Sequence, residues 1–366
     1  MNRENHLLDA PPDEARERLA TWVADRGQPR YRADQIYGEL YQGRVLDPAE
    51  MTNLPKTLRS ELAAELLPPL LEADAIQESR DGTRKYRFRL ADGKQIESVW
   101  IPSGDRGTLC VSSQVGCAAA CTFCATGTLG LTRNLRPSEI LAQWLEVDRD
   151  VRERELGQVT QIVFMGMGEP LHNWPALSIA LRGFQEGFEF SPRRITVSTV
   201  GIAPKIPDLI ASFPQVRLAL SLHSAIDETR ERIVPVTKRH SLEELRSVLA
   251  DIRGDARRLS IEYVLLPEEN DAPREATALG RFADDLVAHV NLLPFHPFDG
   301  APYQATDPKK MEDFAERVRR STRTPVTIRR SRGLDIDGAC GQLALKSRGV
   351  GSRGGEPSRG TTSDNS

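Results

Sequence analysis

The sequence predicts an α/β protein: a parallel sheet bent into a partial (β/α)6 barrel, preceded by a small helical accessory domain and flanked by a β-hairpin. Two observations carry this. From Leu109 onward, strand-sized apolar runs alternate with helix-sized amphipathic segments, the alternation that builds a parallel sheet with helical crossovers. The residues able to do chemistry fall where strands give way to loops, which is where such sheets carry their sites.

In chain order, residues 13–26, 32–41 and 57–66 read as short amphipathic helices, punctuated by Gly27, Pro29, Pro48 and Pro55. This module either grips RNA, through Arg30, Lys56 and Arg59, or caps the main domain. A strand follows at 83–90, where Tyr86, Phe88 and Leu90 alternate with Lys85, Arg87 and Arg89 so that one face is cationic. Ala91, Asp92 and Gly93 turn the chain into apolar 96–101 and complete a hairpin. Strands are then expected at 109–115, 161–165, 195–199, 216–222, 261–266 and 290–293. Helices are expected after them at 138–151, 175–184, 204–213, 241–252, 274–286 and 307–320. A further apolar run, 325–328, leads through arginines into a Gly-rich stretch ending at Leu343. Residues 347–366 are mostly Ser, Gly, Arg and Thr, and are expected to be disordered. The implied organisation is an N-terminal region 1–95, a barrel with its C-terminal loop 96–346, and a tail 347–366.

Chemistry concentrates after the first barrel strand. Of five cysteines, four lie between Cys110 and Cys124, and Cys117, Cys121 and Cys124 are spaced CxxxCxxC. Three thiolates on one tight loop suit three corners of a cubane iron–sulfur cluster and leave its fourth iron open. The alternative is a structural zinc site, which needs four ligands and would have to recruit Cys110. After the second strand, Gly166-Met167-Gly168-Glu169-Pro170 offers two glycines that let backbone approach a ligand, and a carboxylate for an ammonium or ribose hydroxyls. Ser198 follows the third strand, Ser221-Leu222-His223 the fourth, and His296 the sixth, all aimed at one mouth. Cys340 stands alone in its Gly-rich loop, where a small buried hydrophobe is the default reading.

Composition narrows the class. Hydrophobic content of 39% and a mean hydropathy of −0.42 describe a globular chain without a membrane-length apolar run. The polar N-terminal stretch has no signal-peptide pattern, so a cytoplasmic protein is expected, and reduced thiols fit that compartment. A net charge of −3 gives no global case for nucleic acid. Local charge differs: Arg317, Arg319, Arg320, Arg323, Arg329, Arg330 and Arg332 crowd together near the C-terminal loop, either as a solvated face or as a phosphate-binding patch.

CxxxCxxC with Phe123 before the third cysteine resembles the signature of the radical S-adenosylmethionine (SAM) superfamily. There a [4Fe–4S] cluster binds SAM at its open iron and cleaves it to a 5'-deoxyadenosyl radical. Taken with ESVWIP, LCVSSQVGC, TRNLR, MGMGEP, ITVSTVG, LALSLH, EYVLL, LLPF, GAPY and DIDGACGQL, the chain resembles the RlmN/Cfr family, radical SAM methyltransferases acting on adenine in RNA, from the N-terminal module to Leu343. The resemblance implies cluster ligation by Cys117, Cys121 and Cys124, and SAM contacts at Gly168, Glu169, Ser198, Ser221, Leu222 and His223. It also implies a contact at His296, where the family usually has asparagine. It gives Cys340 the role of an S-methylcysteine intermediate, Cys110 that of a resolving thiol in a transient disulfide with Cys340, and Glu97 that of proton acceptor. The implied reaction is methylation of adenine C2, at adenine 2503 of 23S rRNA and adenine 37 of tRNA, using two SAM per turnover. A reduced flavodoxin- or ferredoxin-type electron donor and a monomeric state are implied as well. Two alternatives stay open: C8 methylation of the same rRNA adenine, and a zinc-bearing RNA-binding protein without catalysis.

Overall fold

The computed structural model describes residues 5–250 and 259–345. The tail assigned to 347–366 lies outside them, as does the end of the helix expected at 241–252. Three helices open the chain: α1 (Pro12–Ala24), α2 (Tyr31–Tyr37) and α3 (Lys56–Glu65). Pro12 sits at the first helical position, where its fixed φ suits the helix and its missing N–H costs nothing. Leu19, Trp22, Val23, Ile36, Leu58 and Leu62 form the buried stripe of this module.

The chain then enters a ten-stranded sheet through β1 (Leu71–Glu78), β2 (Arg84–Leu90), β3 (Gln95–Ser103) and β4 (Arg106–Cys110), an antiparallel meander. The expected hairpin is therefore one part of a four-strand run. The strand expected at 109–115 breaks after Cys110, because Ser112 and its neighbours turn away into β5 (Gln114–Gly116). That strand pairs with β6 (Leu131–Asn134), across α4 (Ala125–Thr128), in a separate ribbon.

From β4 the sheet is parallel. It passes through α5 (Pro137–Glu153), β7 (Gln158–Phe164), α6 (Trp174–Arg182), β8 (Ile195–Thr199), α7 (Ile206–Ser212), β9 (Arg217–Ser221), α8 (Asp227–Ile233) and α9 (Leu242–Ala250). It ends with β10 (Leu259–Leu265), α10 (Pro273–Leu286), β11 (His289–Pro294), α11 (Pro308–Arg320) and β12 (Val326–Ile328). The order β4-β7-β8-β9-β10-β11-β12 is linear, so the barrel is open, with the antiparallel meander extending one side. Strands β8 to β11 are apolar and largely buried, as strands covered on both faces must be.

The N-terminal module packs on α5 and α6. Trp144 of α5 meets Phe184, Phe188 and Phe190 edge-on, and the Tyr41 ring lies tilted against Phe188 with centroids 4.9 Å apart. Asp9 accepts from the Ser138 N–H at 3.0 Å near the start of α5. No described helix is long and apolar enough to cross a membrane. All loops at the C-terminal ends of the parallel strands open on one side, and the site lies there.

Candidate functional site

The loop after β5 holds Cys117 and Cys121, each 8% exposed, and half-buried Cys124. Its path is tight: Ala120 takes φ +53°, and a Cβ on Gly127 would stand 2.8 Å from the Cys121 carbonyl oxygen. The loop is pinned from outside. The Thr122 N–H donates to the Ile233 carbonyl of α8 at 3.0 Å, and the Thr122 hydroxyl lies 2.6 Å from the Tyr303 hydroxyl. Burial, reinforced by the Glu169 carboxylate and the neighbouring sulfurs, pushes the Cys117 thiol up to about 12 and that of Cys121 well above its ordinary range. Metal-free, these thiols stay neutral, and a metal that takes them as thiolates relieves that penalty. The trio supplies three soft donors, one short of the four that a structural zinc takes, and so suits a cubane, whose irons take one thiolate each.

The three thiols line a cavity together with Glu169, Ser198, Ser221 and His223, so most of the predicted cofactor residues converge. Glu169 is 3% exposed. Its two carboxylate oxygens accept from the Leu171 N–H at 3.0 Å and the Val200 N–H at 2.8 Å, and burial raises it to about 7. Ser198 and Ser221, ending neighbouring strands, have hydroxyls 3.0 Å apart. His223 adopts φ +58° and accepts from the Val264 N–H at Nδ1, 3.0 Å away; its ring stands edge-on to Phe123 at 4.6 Å. Burial, aided by the Arg230 charge, lowers it to about 3, so at neutral pH it is an uncharged imidazole. A buried acceptor for an ammonium, hydroxyls for a ribose and soft thiols fit a cluster with an amino-acid-bearing nucleoside beside it.

Gly168 lines this cavity, but the pressure on it comes from behind: a Cβ there would meet Gln114 at 2.6 Å, and one on Gly166 would meet the Val111 carbonyl oxygen at 2.7 Å. These glycines serve the close approach of the β7 loop to the β4–β5 connection as well as any ligand. Two predicted contacts stand apart. Leu222 is fully buried, with its N–H on the Glu262 carbonyl and its carbonyl on the Arg230 guanidinium. The His296 imidazole lies 2.7 Å from the Ser331 hydroxyl, away from the cavity wall that Phe295 provides.

A second cavity adjoins the first, and Cys340 lines both. The second is also lined by Cys110, Val99, Arg329, Arg330 and Arg332. Cys340 is exposed, yet onto these cavities, and their crowding raises its thiol; Cys110 is buried at the end of β4 and its thiol is pushed far up by burial, then by Cys340. The Gly341 carbonyl accepts from the Ala125 N–H at 2.7 Å, and the Leu343 carbonyl from the Thr126 hydroxyl at 2.7 Å, so the Cys340 loop docks on the cysteine loop. Glu97, 1% exposed, shares a face of β3 with Val99 and Ile101 of the second cavity. Its carboxylate lies 3.4 Å from Lys85 Nζ, accepts from the Leu345 N–H at 3.2 Å, and is raised by burial.

The basic features divide. Lys85 is buried against Glu97, and Arg87 and Arg89 both reach Asp74, so the cationic face expected on β2 is neutralised. Arg319 and Arg320 pair with Glu316, and Arg323 with Asp284, outside the barrel, whereas Arg329, Arg330 and Arg332 face the Cys340 cavity. Sequence reasoning missed Glu262, which accepts from Ser260 and Asn291 at 2.9 Å and pairs with Arg329 at 3.5 Å. A glutamate inside the otherwise apolar run of β10 was the signal available.

Comparison with known proteins converges on one family. Residues 111–279 match the radical SAM superfamily model, and residues 12–67 match a ribosomal RNA large subunit methyltransferase N-terminal domain. The chain is 45% identical, over 94% of its length and 94% of the relative's, to a protein of Gemmatimonas aurantiaca named "Probable dual-specificity RNA methyltransferase RlmN". It is 44% identical, over 89% of its length and 93% of the relative's, to the dual-specificity RNA methyltransferase RlmN of Geotalea uraniireducens. Among solved structures, a radical SAM methyltransferase from Sphaerobacter thermophilus superposes with a TM-score of 0.86 at 42% identity, over 93% of this chain and 99% of that one.

Proposed function

The chain belongs to the RlmN family of radical SAM methyltransferases, and on that premise we propose that it methylates C2 of adenine in RNA, at adenine 2503 of 23S rRNA and adenine 37 of tRNA. The observation that carries this reading is the position of Cys340, on the wall between the cysteine-trio cavity and the cavity holding Cys110. A thiol that must carry a methyl group from one chemistry to another belongs at such a boundary.

When bound, the [4Fe–4S] cluster and SAM supply the methyl group and the hydrogen-atom abstraction that an unactivated carbon needs. The protein's residues do the rest. Cys117, Cys121 and Cys124 hold the cluster, while Glu169, Ser198, Ser221 and neutral His223 orient the nucleoside and amino-acid ends beside it. Cys340 carries the one-carbon unit as a thioether and presents it to the base. Glu97 takes the proton from the target carbon, a role suited to a buried carboxylate whose affinity for a proton is raised. Once the base adduct has given back one electron and its proton, Cys110 gives up its thiol proton as it attacks the Cys340 sulfur. The sulfur–carbon bond breaks as the disulfide forms, the released carbon takes a proton to become the methyl group, and an external thiol reductant restores both cysteines. Arg329, Arg330 and Arg332 take phosphates at the mouth, and the target base is extruded to enter. Residues 1–95 act as the RNA-binding accessory region beside the barrel of 96–346. A reduced flavodoxin- or ferredoxin-type protein supplies the electron to this cytoplasmic, monomeric enzyme.

Mass spectrometry of digested RNA after anaerobic turnover tests the proposal. The product expected is 2-methyladenine; 8-methyladenine would move the assignment to the other ring carbon. Cys340→Ala is expected to retain its full iron and sulfide yet yield no methylated base, and normal methylation by that variant would sink the relay.

A further inference from the structure

Helix α8 carries a buried charge that none of these roles uses. Arg230 is 1% exposed. Its guanidinium Nη2 donates to the Val200 carbonyl and its Nε to the Leu222 carbonyl, while Nη1 is buried without a partner. No carboxylate ion-pairs with it among the described residues. Burial lowers it to about 10, which still leaves it cationic near neutrality. A buried cation that no carboxylate contacts is expensive, and proteins keep one where an anion meets it.

The surroundings say which anion. Val200, whose carbonyl Arg230 holds, donates its own N–H to Glu169, and Leu222 lies between Ser221 and His223. Three residues along α8, the Ile233 carbonyl takes the Thr122 N–H, one position after Cys121. The Arg230 charge reaches both Cys121 and His223. Asp227, on the same helix, is the strongest charge acting on it, ahead of Cys121, although the two make no ion pair. One helix therefore braces the cysteine loop and places a fixed positive charge behind it.

We propose that Arg230 is a positioning residue whose charge stands as the counter-ion to the three-thiolate cluster, favouring its assembly and its one-electron reduction. The proposal rests on the cluster assignment made above. Three thiolates around a cubane core leave a net negative charge, and one electron from a low-potential donor increases it without breaking or forming a bond. A buried cation stabilises the more negative state, since cluster charge and surroundings set the potential.

Wild-type protein, Arg230→Lys and Arg230→Gln are loaded anaerobically with iron and sulfide and titrated with dithionite by electron paramagnetic resonance. Lysine keeps the charge and glutamine keeps donors without it. At a fixed potential the glutamine variant is expected to hold about tenfold less reduced cluster, a midpoint about 59 mV more negative for one electron, with lower iron content; lysine stays within about twofold of wild type. In the wild type alone, amides of α8 are expected to exchange several-fold more slowly after loading than before. A wild type that takes up no cluster overturns the cysteine assignment and this proposal with it. A wild type that loads, with Arg230→Gln matching its potential or with α8 exchange unchanged, overturns this proposal alone.

Discussion

At Glu169 two demands meet in one carboxylate. It caps the turn that follows and accepts from Val200, yet burial holds it near neutrality at about 7 rather than its ordinary 4.5. A carboxyl whose folded value is raised favours folding while protonated; that contribution is complete below 4.5 and gone once the pH passes about 7. Metal-free wild type is therefore expected to lose melting temperature between pH 5 and pH 8 relative to Glu169→Gln, which cannot titrate. The limiting difference is of order 3 kcal/mol. The readout is the trend, because glutamine also loses one N–H acceptor; melting curves that stay parallel across the two pH values refute it. Residues such as Cys117, Cys121, Cys124 and Glu169 were legible in sequence because spacing and strand ends announce them. Lys85, Arg230 and Glu262 were not, because their meaning lies in charge buried by distant strands and helices.

Among the elements, β8 to β11 were readable since both their faces are covered and they run as apolar stretches. β1, sequence LEADAIQE, was missed because it is half-exposed and acidic, and α8, DETRERI, because its polar composition hides the few residues it buries. Yet β1 and the turn after it anchor the Cys340 loop. Asp335 accepts from the Ser79 hydroxyl at 2.5 Å and the Arg80 N–H at 3.2 Å, and Asp81 accepts from the Gly333 N–H at 3.0 Å. The loop thus hangs between this turn and the contacts of Ala125 and Thr126, a two-point suspension that lets Cys340 face both cavities. Asp335→Ala weakens one point and leaves its Asp81–Gly333 bond in place. The loss of two hydrogen bonds to a carboxylate, about 1.5–3 kcal/mol each, is expected to loosen the loop without unfolding the barrel. Alkylation of Cys340 should speed up by roughly tenfold while iron content stays at the wild-type level. Unchanged alkylation would mean that Asp335 does not restrain the loop and that the Asp81, Ala125 and Thr126 contacts suffice to hold it.

Over the whole molecule, a net charge of −3 conceals an uneven distribution, and it is the distribution that a polyanionic substrate meets. Many of the described arginines are already paired: Arg84 with Glu78 and Asp150, Arg133 with Asp92 and Glu139, Arg182 with Asp13 and Glu186, Arg320 with Glu316. Arg330 differs. It is exposed, lines the Cys340 cavity, and has no ion-pair partner among the described residues. A phosphate bound there releases condensed counter-ions, so affinity falls with salt in proportion to the phosphates engaged. Arg330→Ala is expected to weaken RNA binding at low salt and to reduce the slope of log affinity against log salt by about 1, uniformly across RNA sequences. Arg320→Ala, whose loss merely unpairs a surface glutamate, should leave both unchanged. Fluorescence-detected titrations of a fragment of 23S rRNA over a range of salt concentrations decide the matter. Equal slopes for the two variants would place the phosphate path elsewhere on the surface and detach the arginines beside Cys340 from substrate recognition.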